Sequence, residues 1–441
     1  MSSLSPQPYK GTRDYYPADK RLQNYIFGVW RQVAEQFGYE EYMTPLLEPV
    51  DVYAAKSGQE IVNEQTYQFV DRGGRNVAIR PEMTPSVSRM VANKRQELGY
   101  PARWYSIANF MRYERPQHGR EREFWQLNVD MFGVEGAQAD AETIIMADQI
   151  MKAFGAKPKM YSIRVNNRAL INYMMADFLN LDVIQSELMI KLFDRKGKIT
   201  HEQFRDQAED IFGEDMATSG LRKIAALLSA TSMAELPAEI RDSEPVREVQ
   251  GLFTLLHDAG VTTAKFDISL MRGFDYYTGM VFEVFDNHPD NNRSMFGGGR
   301  YDGLVGLFGV ESIATVGMAP GATTTENFLR AHELLPKLES TTDIYMIVLG
   351  DVVKGAQKLA QNLRSEGVRI AVDITGRKLD KQIKAAVKMK VPYMLFVGEQ
   401  ELADETYTLK DVAQENEQKL SLERVVTTVQ DYRREQTDDL E

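Results

Sequence analysis

The sequence predicts an α+β fold: a core of strand–loop–strand units interrupted by a helical segment and followed by a smaller α/β unit. Three observations predict it. Extended runs at 66–71 and 76–80, and again at 104–112 and 123–132, flank short polar loops, as paired strands do. From about 165 to 262 the residues Ala, Leu, Glu and Lys dominate, which is a helical composition. Beyond residue 342 strands alternate with helices, which implies a small, mostly parallel sheet. The boundaries drawn from this pattern are 1–164 with 263–330 for the core, 165–262 for the helical segment, 331–342 for a linker and 343–441 for the last unit.

Residues 19–37 open the core as an amphipathic helix, because Leu22, Ile26, Val29, Trp30 and Val33 recur at three- and four-residue steps. Gly38 stands where such a helix terminates. A strand at 39–43 follows and Pro45 stops it. The hairpin 66–80 turns at Arg72-Gly73-Gly74-Arg75 and leads into Arg80-Pro81-Glu82-Met83-Thr84-Pro85. A helix at 138–154 closes this stretch. The helical segment holds predicted helices at 168–179, 184–192, 201–211 and 219–229. Strands return at 265–271 and 279–285, ahead of the glycine run 297–299. In the last unit, strands at 344–349, 368–373 and 392–397 alternate with helices at 353–366 and 377–390, and the last ten residues read as frayed.

Composition excludes several classes. With 43% hydrophobic and 26% charged residues the chain is an ordinary globular one, not a disordered one. It has no cysteine, so thiol nucleophiles, thiolate-bound zinc and iron–sulfur clusters are out. The five histidines are scattered and form no HxxxH or HExxH pair, which argues against a histidine-rich metal site. No apolar run approaches the roughly 18 residues of a membrane span, and the first residues show no apolar leader; both predict a cytoplasmic protein. The net charge of −12 disfavours non-specific nucleic-acid binding but leaves room for a local basic surface.

Four clusters rise above this background. The run 112–124 holds four arginines and three glutamates between two strand-like segments. Arginine forks suit phosphates and carboxylates, and interleaved glutamates could orient them or meet a metal-bound polyphosphate indirectly. Taken alone, the run reads equally as a solvated hairpin tip. The second cluster, Arg272-Gly273-Phe274-Asp275-Tyr276-Tyr277-Thr278, suits a polar ligand, or is a strand-to-turn junction with tyrosines in the core. In the third, glycines 297–299 permit close backbone approach to a ligand; no Gly-Lys-Ser/Thr or dinucleotide fingerprint accompanies them. The fourth, 377–390, carries six Lys/Arg and one Asp, a face that could track an RNA backbone or simply be solvated.

In this order the pieces closely resemble histidyl-tRNA synthetase, a class II aminoacyl-tRNA synthetase, over essentially the whole length. The helix, strand and Pro45 look like motif 1. Met111-Arg112-Tyr113-Glu114-Arg115-Pro116-Gln117 looks like the core of motif 2, and 272–278 with Gly298–Asp302 look like the two histidine-specific signatures. Gly376-Arg377-Lys378-Leu379 with Lys381-Gln382 looks like part of an anticodon-binding domain.

The resemblance implies an antiparallel-sheet catalytic domain with a helical insertion, a C-terminal α/β anticodon-binding domain, and a homodimer formed through motif 1. It implies activation of L-histidine by ATP, with magnesium, and transfer to tRNA(His). It assigns Glu82, Thr84 and Gln126 to the α-ammonium, Asp130 and Tyr277 to the imidazole nitrogens, and Tyr276 to the same pocket. Arg112 falls to the α-phosphate with Glu114 beside it, Arg272 to the carboxylate and α-phosphate, and Arg115 and Gln117 to the tRNA acceptor end.

Two departures stand out. Position 130 is Asp where the family has Glu, which shortens the reach by roughly 1.5 Å. Motif 3 reads Gly317-Met318-Ala319-Pro320-Gly321-Ala322-Thr323-Thr324, which puts Thr324 where the family carries an arginine over ATP. The three threonines 323–325 would cap a helix or bond phosphate oxygens. The lost arginine keeps two alternatives open: a non-catalytic histidine sensor resembling the regulatory subunit of ATP phosphoribosyltransferase, and a tRNA-binding module without chemistry.

Overall fold

The structure is a computed structural model that describes residues 4–54, 64–115, 119–196, 199–230, 232–271, 277–291 and 293–438. The chain divides into two compact units, Met1–Leu335 and Pro336–Glu441. No helix among the described residues is long and apolar enough to cross a membrane.

The strands of the first unit are β1 (Glu40–Glu41), β2 (Leu47–Pro49), β3 (Gln68–Val70), β4 (Asn76–Ile79), β5 (Ala102–Met111), β6 (Glu123–Phe132), β7 (Tyr161–Asn167), β8 (Ala264–Phe266), β9 (Met280–Asp286), β10 (Ser294–Arg300) and β11 (Thr315–Met318). Eight of them form one sheet in the order β1-β5-β6-β11-β10-β9-β7-β8, and β2-β4-β3 form a small second sheet. Neighbours in the large sheet run antiparallel except at its two edges, where β1 with β5 and β7 with β8 are parallel. The long pair β5/β6 stays in register from Ala102↔Phe132 to Met111↔Glu123, so the charged run predicted between two strands sits at the tip of a ten-residue ladder.

Helix Pro17–Gln36 buries Leu22, Ile26, Trp30 and Val33 of the predicted stripe and leaves Val29 half-buried. It ends at Gly38, whose φ of +76° turns the chain into β1. Helix Ala137–Ala153 is tied to the sheet by Arg300 at the end of β10. The Arg300 guanidinium pairs with Asp140 at 2.7 Å and donates to the carbonyls of Val134 and Gly136. Both partners of this ion pair are about nine-tenths buried, so losing either strands a charge in the interior.

Between β7 and β8 the chain is helical. Its helices Arg168–Tyr173, Val183–Arg195, His201–Phe212 and Ala217–Ser229 match the predicted ones to within a few residues. Asp182 with Gln185 and Thr200 with Gln203 form capping boxes at two of the starts. A further helix, Glu244–Asp258, is missing from the predicted set although Val246, Val249, Leu252 and Leu256 give it a buried stripe. Its second residue is Pro245, which a first helical turn tolerates because an N–H there has no intrahelical partner. β7 is likewise absent from the sequence reading; it carries the sheet past residue 164.

The second unit is built on β12 (Ile344–Val348), β13 (Ile370–Val372), β14 (Tyr393–Val397), β15 (Thr406–Asp411) and β16 (Glu417–Ser421), in the order β13-β12-β14-β15-β16. The first three are parallel, and β15 and β16 add antiparallel, so the sheet is mixed rather than mostly parallel. The expectation of a frayed end fails for residues 432–438, and 439–441 lie outside the described residues. Helix Leu422–Asp438 runs through them, Tyr432 stacks edge-on against Tyr393 with centroids 5.5 Å apart, and Arg433 donates to the Gly367 carbonyl at 2.9 Å.

Candidate active site

A cavity of about 500 Å³ lies on the large sheet. β6 contributes Gln126, Asn128 and Asp130, which share one face because strand side chains alternate. Glu82 precedes, and Thr84 begins, the helix Thr84–Lys94. Glu283 comes from β9, Gly297 and Gly298 from β10, and Gly317 from β11. The tip of the β5/β6 hairpin adds Arg112, Glu114 and Arg120. Glu82, Thr84, Arg112, Glu114, Gln126, Asp130 and Tyr277, far apart in sequence, thus line one cavity. Arg115 is exposed and outside its lining. Arg272, Tyr276 and Gln117 lie outside the described residues.

Arg112 is fixed from several sides. Its Nε donates to the Pro81 carbonyl at 2.9 Å, and its guanidinium carbon sits 5.3 Å from the Phe124 ring centroid. Glu114 lies 4.0 Å from Arg112 and 3.2 Å from Arg120, so it orients both cations. This part of the charged run is therefore built into the cavity wall and is not merely a solvated tip.

Asp130 is 3% exposed and opposes Gly317 across the β6/β11 ladder. Tyr42 donates to its Oδ2 at 3.2 Å, and Tyr301 donates to its Oδ1. Burial raises the Asp130 carboxyl to about 6, against the pull of the two hydroxyls. Sequence reasoning assigned one imidazole nitrogen to this side chain; in the structure both of its oxygens already serve tyrosines. Burial, and then the charges of Glu82, Glu283 and Asp130, push the Tyr277 hydroxyl well up, which keeps it protonated and able to donate.

The glycine run lies inside β10 rather than in a loop. A Cβ on Gly299 would stand 2.5 Å from the Met280 carbonyl oxygen and 2.8 Å from the Tyr277 ring. One on Gly317 would meet the Val129 carbonyl at 2.5 Å and both Asp130 Oδ1 and the Tyr301 hydroxyl at 2.7 Å. The close approach these two glycines permit is to neighbouring strands and to Tyr277, while Gly297 and Gly298 line the cavity. We expect Gly317→Ala to destabilise the first unit by about 1–3 kcal/mol, since the backbone carbonyl cannot swing aside. Urea unfolding compared with the unaltered protein checks this; an unchanged midpoint would contradict the packing.

At the altered motif 3, Thr324 donates to the carbonyls of Met295 and Gly321 at 2.9 and 3.0 Å, and Thr325 donates to Gly321 at 2.8 Å. Thr323 donates to Glu121 at 3.0 Å. The Thr324 and Thr325 hydroxyls are committed to the turn that opens helix Ala322–Ala331, and that of Thr323 to a carboxylate, rather than to an open anion site. Pro320 does not break the structure: its carbonyl accepts from Leu127 N at 2.9 Å and so ties the turn to β6. Among the described residues, the arginines that line the cavity are Arg112 and Arg120.

Sequence reasoning missed Asn128, Glu283 and Tyr42. Strand alternation from Gln126 to Asp130 would have found the first. Glu283 sits in an apolar strand and Tyr42 far upstream, with no local signal.

An antiparallel sheet whose longest hairpin holds an arginine over a polar cavity, joined to a separate α/β unit, defines the chain as a class II aminoacyl-tRNA synthetase. The family model described as histidyl-tRNA synthetase matches residues 11–321, and that described as an anticodon binding domain matches 343–432. The chain is 43% identical over 418 residues to the histidine–tRNA ligase of Leptospira biflexa serovar Patoc, spanning 94% of this chain and 95% of that protein. It is 35% identical over 412 residues to the histidine–tRNA ligase of Haloarcula marismortui, spanning 91% and 93%. The crystal structure of histidyl-tRNA synthetase from Nostoc sp. shares its fold, with a TM-score of 0.82 over 98% of this chain and 100% of that one at 23% identity. The chain belongs to the histidyl-tRNA synthetase family.

Proposed function

We propose that the chain activates L-histidine with ATP, forming histidyl-adenylate and pyrophosphate, and then transfers the histidyl group to the 3′ end of tRNA(His). The observation that carries this reading is the gathering of Glu82, Gln126 and Tyr277 with Arg112 around one cavity. A carboxylate, a hydroxyl and an amide are the acceptors an ammonium needs, and Glu82, Thr84 and Gln126 offer one of each. Glu283 adds negative charge beside them, which further suits a cationic substrate.

The charge on phosphorus in the in-line transfer falls to Arg112, which its carbonyl and ring contacts hold ready. Arg272 takes the carboxylate and α-phosphate by the family resemblance. Arg120 is the cation available for the outer phosphates in place of the residue at 324. Magnesium would arrive with ATP's phosphates, and Glu114, set between two arginines, fits an indirect hold on it. Arg115, exposed near the cavity mouth in sequence, and Gln117 fall to the acceptor end.

The helical segment 165–262 would serve as the insertion domain. The basic face around Arg377, Lys378, Lys381, Lys384 and Lys388 would meet the anticodon arm through phosphates. Exposed Met43, Leu46 and Leu47, next to β1, support a homodimer through motif 1.

The committed hydroxyl of Thr324 is the one feature that favours the sensor reading. Histidine-dependent exchange of labelled pyrophosphate into ATP separates the two. We expect exchange, abolished by Arg272→Ala. Folded protein that binds histidine but supports no exchange, with or without tRNA, would move the assignment to the sensor.

A further inference from the structure

Gln126, Asn128 and Asp130 share the cavity-facing side of β6, and the middle one has no role in the reading above. Asn128 is 4% exposed, and its Nδ2 is buried without a hydrogen-bond partner among the described residues. A buried amide left unpaired carries its full desolvation cost, so native proteins rarely keep one without a use. Here the residue that carries the orphaned donor lines the cavity that takes the amino acid.

Its neighbour on the strand sharpens the point. The carboxylate that the resemblance assigned to the imidazole is one methylene shorter in this chain, and Tyr42 and Tyr301 occupy both of its oxygens. A neutral imidazole presents one N–H and one bare nitrogen, and needs an acceptor for the first and a donor for the second. The Tyr277 hydroxyl can serve one of them. A donor for the bare nitrogen is what Asn128 Nδ2 supplies.

We infer that Asn128 is a specificity-determining residue, its amide donating to the unprotonated imidazole nitrogen of histidine while the Tyr277 hydroxyl oxygen accepts from the ring N–H. The inference deepens the histidine reading above and rests on it. It gives Asp130 a different task, that of fixing the two tyrosine hydroxyls. A site built to bond a ring nitrogen rejects a ring without one, because the amide is then left unpaired.

The test compares binding of L-histidine with binding of β-(2-thienyl)alanine, a five-membered ring of similar size with no nitrogen. Dissociation constants are measured by calorimetry, by competition for the weaker ligand. The proteins are the full chain, Asn128→Leu, which keeps the volume and removes the amide, and Asn128→Ser as a smaller variant should leucine not fold. The expected result is a 10- to 100-fold loss of histidine affinity with thienylalanine affinity kept within about threefold. An equal loss for both ligands, or no loss for either, overturns the role of Asn128. Pyrophosphate exchange is scored separately: its absence from unaltered protein that shows the expected binding pattern overturns the proposed activity and leaves the asparagine's role standing.

Discussion

Arg112→Ala is expected to lower histidine-dependent pyrophosphate exchange by about 10²–10³ in kcat while the protein stays folded. The size follows from where the side chain sits. It is 18% exposed, its Nε is spent on the Pro81 carbonyl, and Phe124 limits its swing, so the guanidinium is aimed before ATP arrives. A preformed cation pays no reorganisation when charge builds on the transferring phosphorus. Arg112→Lys keeps the charge but loses the planar fork and the Pro81 bond, so it should recover only part of the rate. The fall should appear in kcat more than in the KM for histidine. A variant within a few-fold of the unaltered rate would remove Arg112 from the chemistry.

The second large effect has opposite signs in activity and stability. Asp130→Asn should lower kcat/KM for histidine by about 10²-fold, because Tyr301 and Tyr42 lose the anion that orients their hydroxyls. The same change should stabilise the first unit at neutral pH. The carboxyl ionises at about 6 in the fold and at 3.8 unperturbed. Below 3.8 it is neutral in both folded and unfolded chains and costs nothing. Between 3.8 and about 6 the unfolded chain alone gives up its proton, so stability falls as pH rises; above 6 the whole cost, about 3 kcal/mol, is in place. An asparagine avoids it and can still accept from one tyrosine and donate to the other. Urea unfolding should show a gain of about 1–3 kcal/mol at pH 7.5 and none at pH 3.5. A loss at pH 7.5 would mean that the carboxylate stabilises the fold.

The sequence was most legible where one local rule acted alone. The stripe of Leu22, Ile26, Trp30 and Val33 announced its helix, and Gly38 its end. The motif residues Glu82, Arg112, Gln126 and Tyr277 could be named in advance because they stand in ordered motifs, and the fold brings them together. Legibility failed where tertiary context outweighed local pattern. That the glycine run forms the centre of a sheet, where neighbouring strands leave no room for side chains, has no local signal. Nothing in the chain near Asp130 shows that Tyr42, 88 residues upstream, and Tyr301 will donate to it.

The glycine-floored sheet also limits redesign of this catalyst. Carbonyl oxygens of Phe282, Gly317 and Val129 press against the faces of Gly297, Gly298 and Gly317, which line the cavity. The floor is backbone on backbone, and truncating side chains there cannot deepen it. Room for an unnatural amino acid with a larger ring has to be cut from the walls, at Phe282 or Met318 for example, and each cut trades apolar packing for space. Directed evolution toward bulky substrates should therefore leave these three glycines untouched and collect its changes around them.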